Sequence, residues 1–268
     1  MIHKLRKQQV ITLAIVSFLF SLNSIGQNDS IVFANLRDSK SWNLAFQDDC
    51  TNDWTENWSL DGLIATVENT QEGMHFKAGP EYKNDAHHAV LWTKASFFGD
   101  IKIEYDYIKT DEEARCVNIL YIQATGDGEG VHEADISKWK ALREVPAMRT
   151  YFENMNTLHI SYSAFGNQEN SFHYVRARRY PKPDDQPFKV TQLDPSFDKQ
   201  GFFKTGQKYH ITVLKTKEHL FFKMESKDGV ELFQWDISKI EPITEGRIGL
   251  RQMYTRASIY KNFKVYSK

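Results

Sequence analysis

Hydrophobic and polar positions alternate along most of this chain, and the alternation has the period of a β-strand. Ile101, Ile103, Tyr105 and Tyr107 are separated by Lys102, Glu104 and Asp106, so one face of that segment is apolar and the other polar. Short runs rich in β-branched and aromatic residues recur at Leu63–Val67, Met74–Lys77, Ala89–Thr93, Ile101–Ile108 and Val117–Ala124. Gly62, Gly73, Gly79, Gly99 and the glycines from Gly126 to Gly130 punctuate them. From Ile31 onward the pattern predicts strand nearly everywhere. It resumes at Leu158–Ala164, His173–Arg178, Lys208–Lys215, Leu220–Glu225, Val230–Trp235, Arg247–Tyr254 and Ala257–Tyr266. Asp228-Gly229, between two such runs, is a strong hairpin signal.

One segment departs from the rule. Asp135 to Met155 carries helical spacing, with Asp135 as the N-cap. Pro146 must interrupt it, which predicts two short helical pieces lying across a sheet edge. A proline-rich loop follows from Pro181 to Pro187. Many short strands with one helical interlude predict an all-β fold, an antiparallel β-sandwich of jelly-roll type with a short helical insertion. Neither a repeat nor a linker divides it, so a single domain is expected over residues 28–268 of the 268.

The N-terminus changes the picture of where the protein works. His3, Lys4, Arg6 and Lys7 precede an apolar run from Val10 to Leu22, and small residues Ser24 and Gly26 follow. This order predicts a secretory signal peptide over residues 1–27, and hence a secreted or periplasmic protein. The apolar run is too short for a membrane span. A formal net charge of −1 provides no field for nucleic acid. Aromatic residues make up 13% of the chain, enough to fill a core and leave rings for a sugar-binding face. Cys50 and Cys116 could form one disulfide or remain two buried thiols, and the sequence leaves both open.

Polar side chains inside apolar strands carry the candidate chemistry. In Leu158 to Ala164, with Ile160 and Ala164 facing the core, His159, Ser161 and Ser163 face the sheet's other side. His88 shares a strand region with Trp92, Asn118 and Gln123 sit among aliphatics, and Arg251 stands opposite Leu250. Such a face suits a polyhydroxylated ligand, through amide and guanidinium hydrogen bonds and aromatic stacking. The Arg176 to Tyr180 run is a basic patch suited to an anionic sugar. Each feature also has a plain structural reading, as a satisfied core histidine or a solvated strand end.

Several reaction classes are disfavoured. Glu104-Tyr105-Asp106 begins a glucanase-like acidic motif, but Lys109 stands where the third acid belongs. No serine elbow and no zinc spacing occur. β-Elimination on a uronic acid fits the inventory better. Arg, Asn or Gln neutralises the carboxylate, His or Tyr removes the C5 proton, and Tyr or His protonates the group leaving C4. No cofactor is required; a structural calcium ion is compatible with the loops but specified by none.

His87 to Lys94, Met155 to Phe165, Gly249 to Met253 and Tyr260 to Val265 resemble the YesU-like family of bacterial concanavalin-like jelly rolls, often found among polysaccharide-degradation genes. Within that family the chain looks most like the ulvan oligosaccharide dehydratases of marine flavobacteria. The resemblance implies a carbon–oxygen lyase that removes water from a non-reducing-end glucuronic acid. The implied partner is an oligosaccharide containing uronic acid and sulfated rhamnose.

The strand argument assigns His88 and His159 as base or its partner, Tyr162 or Tyr254 as acid, and Arg251 with Arg179 as anion holders. Asn118, Gln123, Trp92, Tyr180 and Gln252 complete the substrate contacts. Tyr162 points away from His159 in a regular strand, so the two share a site only if a bulge intervenes. The rival readings are a polysaccharide lyase on a uronic-acid polymer and a non-catalytic carbohydrate-binding module.

Overall fold

The computed structural model describes residues 28–166, 173–198 and 201–268; the predicted signal peptide lies outside them. Two compact units are distinguished, one up to Lys40 and one from Ser41 to Lys268. In the first, residues 28–37 form a helix (α1) where the pattern predicted strand from Ile31. Polar Asn35, Arg37 and Asp38 interrupt the alternation there.

The second unit is an antiparallel sandwich of two eight-stranded sheets. The first sheet runs β14 (Gly229–Asp236), β13 (His219–Ser226), β12 (Lys208–Lys215), β7 (Ile101–Lys109), β16 (Ala257–Ser267), β4 (Gly73–Lys77) and β3 (Thr66–Thr70). β1 (Asn43–Asp48) pairs with β16. The second runs β11 (Phe197–Asp198), β10 (Tyr174–Tyr180), β9 (Met155–Ala164), β8 (Asn118–Gly126), β15 (Glu245–Gln252), β5 (Ala89–Thr93) and β2 (Trp58–Asp61). β6 (Phe97–Phe98) pairs with β15. β1 and β2 were not foreseen; their polar residues (Gln47, Asp48, Ser59, Asp61) break the apolar runs. The run expected at Leu63–Val67 begins only at Thr66, leaving Leu63 exposed.

The main core lies between the sheets, with Leu120, Ile122, Leu158, Ile160, Tyr162 and Leu250 meeting Ile103, Tyr105, Val213 and Phe222. A second cluster covers the outer face of the second sheet. There Trp92, Tyr121, Tyr151, Tyr180, Ile136 and Trp139 pack together. Asp135 caps the segment as expected, its Oδ1 accepting from Ser137 N at 3.0 Å. A 3₁₀ stretch, Ile136–Arg143, and helix α2, Met148–Asn154, follow on either side of Pro146. They lie on the face of the sheet, not across its edge, because Tyr151 and Trp139 have apolar surface to bury there. Sheet two is therefore covered on both sides, and β5, β8 and β9 are buried almost throughout.

Two bulges decide which side chains face which way. Ser163 (φ +44) breaks β9, so Tyr162 faces the inter-sheet core while Ala164, expected there, turns to the outer cluster. Arg256 holds this bulge, donating to the Ser163 carbonyl at 2.7 Å and its Oγ at 2.8 Å. Gln123 (φ +52) does the same in β8. Cys50 and Cys116 are free thiols in different clusters, so the disulfide alternative is excluded. Among the described residues no helix is long and apolar enough to cross a membrane, and no group of His, Cys, Asp or Glu could hold a metal ion.

Candidate functional site

The outer face of sheet two, beneath α2, carries a row of side chains fixed by strand register. Arg178 pairs with His159, His159 with Tyr121, Tyr121 with Gly249, and Gly249 with Trp92. Alternation puts Arg251 on the same face one step along. Gly249 is required in this row, since a Cβ there would stand 2.5 Å from the Trp92 ring.

The row contains buried polar atoms without partners. Arg251 is fully buried; its Nη2 donates to the Pro146 carbonyl, but Nε and Nη1 have no partner. His159 shares a hydrogen bond between Nε2 and Ser161 Oγ at 3.1 Å, and its Nδ1 has none. The hydroxyls of Tyr121 and Tyr180 are likewise unpaired. The rings of Tyr180 and Tyr121 stand edge-on to the His159 ring at 4.9 and 5.8 Å. Each such atom costs about 1–3 kcal/mol if left dry, so the five are unmet hydrogen-bonding capacity that a polar occupant would satisfy.

The electrostatics are equally specific. Burial, then the charges of Arg178, Arg251 and Arg176, holds the His159 pKa well below its ordinary value. The imidazole is neutral at pH 7. Neither Arg251 nor Arg178 has a carboxylate within 4 Å among the described residues, so positive charge here is uncompensated. The acid in the neighbourhood, Asp61, is committed elsewhere. It accepts from Arg143 Nε at 2.6 Å, Trp92 Nε1 at 2.7 Å and Tyr151 at 3.0 Å. Around this centre stands a half-buried rim of Tyr82, Tyr254, Met148, Phe152, Tyr174 and Phe188.

The structure brings together His159, Arg251, Trp92 and Tyr180 of the residues expected from sequence. His88 and Tyr254 lie at an adjoining corner, stacked at 4.3 Å. His88 is already satisfied, its Nδ1 accepting from Tyr254 N at 3.3 Å and its Nε2 facing Asp85 at 3.3 Å. Burial, Arg251 and His87 lower its pKa to about 2.

Five expected residues fall elsewhere. Tyr162 is in the inter-sheet core, with its hydroxyl 3.1 Å from that of Tyr260, because the bulge comes one residue too late to turn it. Asn118 and Gln252 bond to each other inside the sandwich, with Ser258 completing the network. Gln123 donates to the carbonyls of Phe97 and Gly99, tying down a turn. Arg179 alternates to the opposite face from His159 and reaches the Glu241 carbonyl. Sequence reasoning missed Tyr121, Tyr151, Asp61 and Arg143, and took Arg178 only as part of a basic run. The cross-strand row is the signal that finds them. A surface cavity of about 600 Å³ lies elsewhere, by Asp111 and Arg115, but those charges are paired with Lys109, Arg256 and Glu113.

Comparison with known proteins agrees with this architecture. The chain is 24% identical over 200 residues to the uncharacterized protein YesU of Bacillus subtilis (strain 168), covering 68% of this chain and 78% of that one. A Bacillus subtilis protein of unknown function with a galectin-like fold superposes with a TM-score of 0.64 at 18% identity, covering 84% and 97% of the two chains. The Emp47p carbohydrate recognition domain gives 0.53 at 16% identity, covering 85% and 97%. The lectin UEA-II, complexed with galactose, gives 0.52 at 10% identity, covering 84% and 99%. These likenesses are of fold: a lectin-like jelly-roll sandwich. A family model matches residues 43–265, and the chain belongs to that family, described as a domain of unknown function (DUF1961).

Proposed function

We propose that this protein is a carbon–oxygen lyase that removes water from a non-reducing-end glucuronic acid of ulvan-type oligosaccharides. The observation that carries the reading is a set of unpaired buried groups carried on one face of the sheet: Arg251 Nε and Nη1, His159 Nδ1, and the Tyr121 and Tyr180 hydroxyls. Arg251 pairs with the uronate carboxylate through its two free donors, making the C5 proton removable. His159, neutral, accepts that proton. The C5–H electrons form the C4–C5 double bond, the C4–oxygen bond breaks, and Tyr180 protonates the leaving hydroxyl so that it departs as water. The product is an unsaturated uronate.

Closure of the site supports a chain-end substrate over a polymer lyase. His159, Tyr121, Tyr180 and Arg251 are each at most 1% exposed, and Tyr151 and Phe152 lie over them. A polymer threaded through needs a groove open at both ends.

The rival reading is a carbohydrate-binding domain without turnover. It is favoured by the depressed basicity of His159, which makes the imidazole a weak base. It agrees with the sugar held by the UEA-II lectin, galactose. Ultraviolet absorbance of an unsaturated uronate, with mass spectrometry of products, separates the readings on glucuronate-terminated ulvan oligosaccharides. Loss of one water without shortening supports the dehydratase, shortening supports a lyase, and binding without either supports the rival.

A further inference from the structure

We propose that Tyr151 is the positioning residue for Arg251, and that Asp61 in turn fixes Tyr151, so that the guanidinium is held without an acid and keeps two donors for an anionic group of the ligand. This rests on the reading that the site binds a uronate.

Two buried arginines act on Tyr151 here and are held in opposite ways. Arg143 is neutralised by Asp61, with Nε 2.6 Å from the carboxylate. Arg251, equally buried, has the ring of Tyr151 against its guanidinium, 4.6 Å from the ring centroid. A ring attracts a guanidinium through its electron-rich face while leaving the edge donors free. An acid in its place would consume those donors and repel an incoming carboxylate.

The ring in turn has little freedom. Its hydroxyl donates to Asp61 Oδ2 at 3.0 Å, and the Trp92 indole donates to the same oxygen at 2.7 Å. Tyr151 lies nearly parallel to Tyr121 at 5.8 Å and to Trp92 at 6.4 Å. One carboxylate from β2 therefore orients two rings, and Arg143 balances its charge so that it draws no donor from Arg251.

The test is calorimetric binding of two oligosaccharides that differ only at the terminus, glucuronic acid against glucose. Tyr151→Leu should lower affinity for the glucuronate terminus about tenfold more than affinity for the glucose terminus, so that the preference for the acid is what is lost. Tyr151→Phe, which keeps the ring and loses its anchor, should lose about threefold. A folded Leu variant with wild-type preference overturns the proposal. If the Leu variant does not fold, an unchanged preference in the Phe variant overturns it. Absence of any preference in the wild-type protein would instead remove the underlying uronate reading.

Discussion

Arg178 stands directly across from His159 in the register of β10 and β9, and its charge is one of three that keep the imidazole neutral. Arg179, its chain neighbour, faces the other way and meets Glu241. Arg178→Gln removes one of the positive charges on this face and is expected to weaken binding of a uronate oligosaccharide by about tenfold. Arg179→Gln should stay within about twofold of wild type, as a half-exposed pair contributes little. Calorimetric titration of both variants decides whether the site lies on this face.

His88 and His159 make stability depend on pH in a definite direction. Burial and nearby arginines lower both folded pKa values, His88 to about 2, whereas both titrate near ~6.5 when unfolded. The folded chain therefore refuses two protons that the unfolded chain binds. Their contribution is present above pH ~6.5 and lost as pH falls below it, at up to about 1.4 kcal/mol per pH unit for each. His210, raised by its hydrogen bond to Asp106, acts with the opposite sign. Urea unfolding between pH ~8 and ~5 should show a slope about one proton smaller in His159→Gln; an identical slope would refute this account.

Tyr180 should take the acid's role that the sequence expectation gave to Tyr162, which lies in the inter-sheet core. Tyr162→Phe removes a core hydroxyl bonded to Tyr260, and is expected to cost about 1 kcal/mol of stability with turnover unchanged. Tyr180→Phe removes an unpaired hydroxyl, so stability should hold or rise while dehydration falls about a hundredfold or more. Thermal melts alongside product assays separate the two.

Gly249→Ala tests the packing of the row itself. The added methyl meets the Trp92 ring at 2.5 Å, and overpacking of this kind costs about 1–3 kcal/mol. The displaced indole also disturbs Tyr121, stacked on it at 5.3 Å, so ligand affinity should fall with stability. Stability equal to wild type would mean that the row has room to spare.

The fold was legible because alternation is strong where one sheet face meets solvent, as in β7 and β12. It was less informative in sheet two, whose central strands are covered on both sides. There polarity does not report facing: Asn118 and Gln252 point inward as a bonded pair, while the aromatic Tyr121 points into the site. Arg251 was found because it interrupts Leu250 and Gln252 with a charge. Tyr151 and Asp61 were not, because their importance comes from a contact between segments 90 residues apart.

The bulge at Ser163 has a consequence for any comparison of relatives. A strand that lacks it would send position 164 back between the sheets, and a shift of one residue at this point exchanges inside for outside downstream. Correspondence should therefore be counted outward from the Arg256–Ser163 lock: His159 and Ser161 on one side of it, Ala164 on the other. A homologue with a one-residue deletion here could keep every side chain of the site in its sequence and still present a different surface at this end of the strand.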